Sequence, residues 1–280
     1  MKAEQMRVTM AGAVLALTSL AATTAHASCG PESGACEIQG GSYHIKLPET
    51  PGDDMPVVIF LHGYGGSGQA AISRDIMVEP LRARGYAVIA PNGVPRAEGR
   101  PASWTFYPGW PGRDETAFLK DVVTDASDRF GTSAETVLLS GFSAGGFMVN
   151  YLACDAPDTF TAYAPVSGGF WRPHPVECNG PVKLLHTHGW ADGTVPLEGR
   201  KLAGGRFQQG DIFAGLEIWR AANECSDEKP TGFGKTGNFM RRVWGNCADG
   251  GALEMALFPG GHTVPEGWAD LALDWFEGLN

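Results

Sequence analysis

The sequence predicts an α/β protein in one domain, with a mostly parallel central sheet covered by helices on both faces. Three observations carry that reading. Short apolar runs recur along the chain and are too continuous for strands with a wet face. Segments with helical periodicity lie between them. No internal repeat and no Pro/Ser-rich linker divides the 280 residues.

The elements follow in order. Residues 42–47 (Ser-Tyr-His-Ile-Lys-Leu) alternate with period 2, as in a strand with one wet face, and a Pro/Gly/Asp turn follows at 48–55. Val57 to Leu61, Tyr86 to Ala90, Thr136 to Leu139, Lys183 to His186 and Leu253 to Phe258 are runs expected of strands buried on both faces. Residues 114–130 read as a helix: Phe118, Val122, Ala126 and Phe130 recur every four residues, with Leu119 and Val123 beside them. A second helix carries Phe147, Tyr151 and Leu152 after a glycine-rich turn. Ile212 to Ala222 and Trp268 to Leu279 also read as helices.

Composition narrows the function. Hydrophobic residues make up 43% of the chain and aromatics 10%, enough for a sizeable core and incompatible with global disorder. The 39 glycines and 19 prolines show no Gly-X-Y period, so they mark tight turns and close backbone approaches rather than collagen. A net charge of −10 and the lack of any basic run argue against a nucleic-acid partner.

The first 27 residues read as a secretory leader. Lys2 and Arg7 precede the apolar stretch Val8 to Ala22, and Ala25-His26-Ala27 gives a small-x-small cleavage signal before Ser28. A lipid on Cys29 is the weaker alternative, since His26 stands where that signal wants an aliphatic residue. The expected mature chain is 28–280, secreted to the extracellular space or periplasm, monomeric, and free of the membrane once the leader is removed. Six cysteines lie in this part: Cys29, Cys36, Cys154, Cys178, Cys225 and Cys247. An even count in an oxidising compartment suggests three disulfides, and the spacing favours 29–36, 154–178 and 225–247. No C-x-x-C pair supports a zinc site.

The chemistry lies in the loops. Gly141-Phe142-Ser143-Ala144-Gly145 matches G-x-S-x-G between a strand and a helix, the context of a nucleophile elbow. His62-Gly63-Tyr64-Gly65-Gly66-Ser67-Gly68 follows the strand 57–61 and suits an oxyanion loop, with the Tyr64 and Ala144 N–H groups as donors. The same segment formally fits a dinucleotide fingerprint, but positions 80–97 contain no acidic residue to hold a ribose. His262 follows Gly260-Gly261 after the last strand, where a general base belongs. Asp192 lies 49 residues after Ser143 and 70 before His262, the chain order Ser, Asp, His. His186 and His188 could face one way from a strand, but no third ligand accompanies them. Neither a metal nor a cofactor is therefore expected. The aromatic-rich segment 104–110 offers Trp104 and Trp110 as walls of a substrate site, with Trp190 and Trp171 as weaker candidates.

These motifs resemble the exported polyhydroxybutyrate depolymerase-like esterases, whose relatives include feruloyl and acetylxylan esterases. The resemblance rests on HGYGGSG at 62–68, RDETAFL at 113–119, GFSAGGFM at 141–148, HGWADGTVP at 188–196 and GGHTVP at 260–265, and covers roughly residues 40–280. The cysteine placement also looks familial. Ala144 and Val264 depart from residues common among such relatives. The resemblance implies an α/β-hydrolase fold and an acyl-enzyme mechanism, with Ser143 as nucleophile, Asp192 as orienting acid and His262 as base. The expected partner is an ester: first a hydroxyalkanoate ester or oligomer, then a feruloyl or acetylxylan ester. A peptidase or a non-catalytic binding protein on the same fold ranks lower.

Overall fold

The structure is a computed structural model that describes Met1, Cys29 and residues 34–226 and 229–279. Apart from Met1, the expected leader lies outside the described residues. Ten strands form the main sheet: β1 (Cys36–Ile38), β2 (Gly41–Lys46), β3 (Met55–Leu61), β4 (Ala87–Pro91), β5 (Thr132–Phe142), β6 (Ala162–Val166), β7 (Lys183–Gly189), β8 (Gly232–Thr236), β9 (Phe239–Trp244) and β10 (Ala252–Phe258). Their spatial order is β1-β2-β4-β3-β5-β6-β7-β10-β9-β8. The six central strands, β4 to β10 in that order, pair in parallel, and an antiparallel pair extends each edge.

Among the described residues six α-helices cover the sheet: α1 (Gly68–Ile72), α2 (Asp75–Ala83), α3 (Glu115–Phe130), α4 (Ala144–Asp155), α5 (Ile212–Ala222) and α6 (Trp268–Glu277). The alternation of strand side chains decides which face each helix takes. Val57, Ile59 and Leu61 of β3 join Val137 and Leu139 of β5 in one core cluster with α3, α4 and α5. Val58, Phe60 and Leu138, one residue out of step, meet α1, α2 and α6 in the other. Both faces of the central strands are buried, so their sequences read as unbroken apolar runs.

The α/β reading holds, with helices on both faces of a mostly parallel sheet. Some elements escape the periodicity. β6 (Ala-Tyr-Ala-Pro-Val) is fully buried, yet three of its five residues are alanine or proline, which carry little strand signal. α2 contains Pro80, a residue that argues against a helix interior. The β8–β9 ribbon is mostly half-buried or exposed and rich in glycine and cations, so it lacks an apolar stripe. The sulfurs of Cys29–Cys36, Cys154–Cys178 and Cys225–Cys247 are bonded, each closing a local loop. Among the described residues, no helix is long and apolar enough to cross a membrane.

Candidate active site

The site lies beyond the carboxyl ends of the parallel strands, where loops from several strands converge. β5 ends at Phe142, and α4 begins at Ala144. Ser143, between them, adopts φ 56° and ψ −113°, a backbone conformation a non-glycine residue seldom takes. A hydrogen bond from its N–H to the Val166 carbonyl (3.0 Å) pins the turn. The surrounding glycines are steric necessities. A Cβ on Gly145 would fall on the Leu61 carbonyl of β3, and one on Gly141 would lie 2.7 Å from the Gly145 backbone.

The loops after β7 and β10 bring the other two groups to the serine. These strands are parallel neighbours, with Gly189 opposite Phe258. Past their ends, the Trp190 N–H donates to the Phe258 carbonyl (2.8 Å) and the Ala191 N–H to the Gly260 carbonyl (2.9 Å). The two loops are therefore laced together. His262 Nδ1 lies 2.7 Å from Asp192 Oδ2, and His262 Nε2 lies 2.9 Å from Ser143 Oγ. An ionised carboxylate can only accept, so Nδ1 carries the proton and Nε2 is free to accept from the serine hydroxyl.

Asp192 is well anchored. Its Oδ1 accepts from the Thr194 and Val195 N–H groups at 2.9 and 2.8 Å. Burial on its own would raise its carboxyl. The hydrogen bonds from His262 and the Val195 N–H, with the nearby imidazoles, outweigh burial and hold it below the usual carboxylate value. Behind it, His188 Nε2 donates to the Val195 carbonyl (2.8 Å) and lies 3.5 Å from Asp192 Oδ2. His188 Nδ1 must then accept, and His186 Nε2 donates to it at 3.0 Å. Burial pushes both histidines below their ordinary value, so both are neutral near pH 7. The pair thus ends on the Val195 carbonyl, beside the carboxylate. Among the described residues no cluster of three or more His, Cys, Asp or Glu could hold a metal.

The loop after β3 faces the elbow. Gly63 approaches so closely that a Cβ there would sit 3.4 Å from Ser143 Cβ. His62 fixes the loop from beneath: its Nε2 accepts from the Gly93 N–H (2.9 Å), so its Nδ1 donates to the Gly63 carbonyl (2.7 Å). The Gly65 and Gly66 N–H groups are used within the fold, bonding Ala102 and Gly63 carbonyls. Ala144 is the first residue of α4, and its N–H has no acceptor within the helix. Tyr64 and Ala144 both line the cavity in front of Ser143.

That cavity has a volume of about 400 Å³. One wall is aromatic: Phe106, Trp110, Phe147, Trp171 and Phe207. Phe106 stacks on Phe147 with ring centres 5.5 Å apart, and Trp171 lies 5.3 Å from Trp110 and 5.4 Å from Phe207. Trp110 stands where the sequence places it. Trp104 does not: it is fully buried, and its indole N–H donates to the His62 carbonyl (2.8 Å), so it supports the loop from behind. Trp190 is 63% exposed and lies outside the lining, because the pairing with Phe258 turns that segment towards solvent.

A buried ion pair carries the aromatic segment. Glu115 accepts from Arg113 Nε and Nη2 (2.9 and 2.7 Å) through one oxygen and from the Thr105 N–H (3.0 Å) through the other. Burial pushes its carboxyl up, and Arg113 and the Thr105 amide pull against that shift without reversing it. Arg113 also donates to the Gly40 and Asn92 carbonyls, both at 3.1 Å. The RDE triplet thus ties the 104–110 loop to the start of α3. Sequence reading missed this role. It also missed Phe207, Arg96, Arg200 and Gln209 in the lining, which come from separate segments and share no spacing signal.

Residues 56–201 match the α/β hydrolase fold family. The chain belongs to that family. Within it the chain is feruloyl esterase-like. It is 30% identical to a probable feruloyl esterase C of Aspergillus niger over 213 residues, 66% of this chain and 70% of that protein. It is 29% identical to feruloyl esterase C of Emericella nidulans over 178 residues, 60% of each chain. An acetyl xylan esterase from Aspergillus awamori shares the fold with a TM-score of 0.62 at 18% identity, covering 84% of this chain and 93% of that one.

Proposed function

We propose that the protein is a secreted serine carboxylic-ester hydrolase whose preferred substrates are aromatic, feruloyl-type esters of plant cell-wall material. The observation that carries this is the hydrogen-bonded series Ser143–His262–Asp192 opening onto an aromatic-walled cavity. His262 Nε2 takes the Ser143 hydroxyl proton as the oxygen attacks the ester carbonyl. The Tyr64 and Ala144 N–H groups receive the oxyanion. The imidazolium, held by Asp192, returns its proton to the departing alcohol oxygen. Water, deprotonated by His262, then attacks the acyl-serine and releases the acid.

The feruloyl and acetylxylan esterase relatives favour aromatic and acetylxylan esters over the hydroxyalkanoate esters that the sequence placed first. Between those two, the five-residue aromatic wall favours a planar aromatic acyl group, which an acetyl group would leave largely uncovered. The three disulfides agree with an oxidising compartment, and the leader would direct export and be cleaved after Ala27. Parallel kinetics on methyl ferulate, acetylated xylan and hydroxybutyrate oligomers test the ranking. Methyl ferulate should give the highest kcat/KM; a higher value on either of the others reverses the assignment.

A further inference from the structure

The cavity carries a charge pattern that ester hydrolysis does not require. Among the described residues two arginines, Arg96 and Arg200, line it, and no acidic residue does. This occurs in a chain of net charge −10. Neither arginine belongs to any ion pair among the described residues.

Both are held in place. The Arg96 guanidinium carbon lies 3.5 Å from the centre of the Trp110 ring, a cation–π contact that holds it against the aromatic wall. Arg200 Nε donates to Gln209 Oε1 at 3.2 Å, and Gln209 is buried. That bond anchors the side chain by one nitrogen and leaves its terminal N–H groups for a ligand. A planar fork suits a carboxylate better than any neutral group.

We propose that this cavity binds an aromatic ester that carries a second, ionised carboxylate, with the ring on the aromatic wall and the carboxylate between Arg96 and Arg200. This deepens, and rests on, the esterase reading of the same site. The two cations would also draw anionic substrate towards an otherwise acidic protein.

Binding to the Ser143→Ala protein separates this proposal from the esterase reading, because it needs no turnover. Methyl 4-carboxycinnamate and methyl cinnamate, which differ by the carboxylate, are titrated by calorimetry. The anionic ester should bind about 10-fold more tightly, in line with one or two charge-assisted contacts at a partly exposed site. Added to Ser143→Ala, Arg96→Gln with Arg200→Gln should bring the affinities for the two esters within about 2-fold of each other, and 1 M NaCl should narrow the difference in the parent protein. Arg96→Lys should retain part of it. Equal binding of the two esters, or a preference that survives both glutamines, overturns the proposal. Failure of the unsubstituted enzyme to hydrolyse either ester would overturn the esterase reading instead, whatever the titrations give.

Discussion

The two sides of the cavity are built on different physics. On one side Ser143, His262 and Asp192 come from three loops and meet through hydrogen bonds of 2.7 and 2.9 Å, with a strained serine backbone and glycines that admit no Cβ. On the other, five aromatic residues meet through ring contacts, several of them between 5.2 and 5.5 Å, and any one could shift without breaking a covalent or proton-transfer geometry. The first side is set by direction and the second by area. Substitutions should therefore abolish the reaction on one side and retune the substrate on the other.

The largest effect tests the directional side. Ser143→Ala should reduce kcat by about 10⁶, judged from a serine triad in another enzyme, while circular dichroism and Tm stay close to native. Asp192→Asn should lose about 10⁴ in kcat, because an amide can present the wrong group to His262 Nδ1 and disfavour the required tautomer. A loss below about 100-fold would mean that the carboxylate is not what orients the ring.

The aromatic side should respond in stability and in KM. Glu115→Ala leaves Arg113 buried without its partner and frees the Thr105 N–H, so thermal or urea unfolding should show a loss of about 3–5 kcal/mol. Trp110→Ala should raise KM for methyl ferulate about 10-fold and leave kcat on p-nitrophenyl acetate within a few-fold. Equal losses on both esters would place Trp110 among the reaction's own groups and erase the distinction.

The smallest effect is a pH dependence with a definite sign. Burial holds His186 and His188 below their ordinary value, so the folded state resists the protons that the unfolded chain takes up near pH 6.5. Their contribution to stability is thus complete above about pH 6.5 and falls as the pH drops below it. Asp192, held low in the fold, adds stability that persists above about pH 4 and is lost as the pH falls through its folded value. Denaturant midpoints measured from pH 8 to 2 should decline in that order, and His186→Leu should flatten the upper limb.

The same contrast explains what the chain shows before folding. The elbow is legible because its geometry admits few sequences: Gly141 and Gly145 are dictated by steric contact, and the strand before Ser143 is apolar because both its faces are covered. The parallel strands are legible for the second reason alone. The aromatic wall is only half visible. Phe106 and Trp110 stand out as a cluster and Trp171, in the loop after β6, as a weaker candidate, but Phe147 and Phe207 reach the cavity from α4 and a short strand at 207–208, and no period links them. Trp104 shows the limit from the other side: it shares that cluster, yet its indole serves the His62 carbonyl and its ring never reaches the cavity. Arg96 and Arg200 carry no local signal at all, since only the fold brings them to one opening.

The most direct test of the central claim is covalent. A fluorophosphonate ester should add once per molecule, and peptide mapping should place the adduct on Ser143. Methyl ferulate hydrolysis should fall in proportion to the fraction labelled, and the protein with His262→Ala should label far more slowly. An adduct on another residue, or hydrolysis that persists in fully labelled protein, would contradict the account.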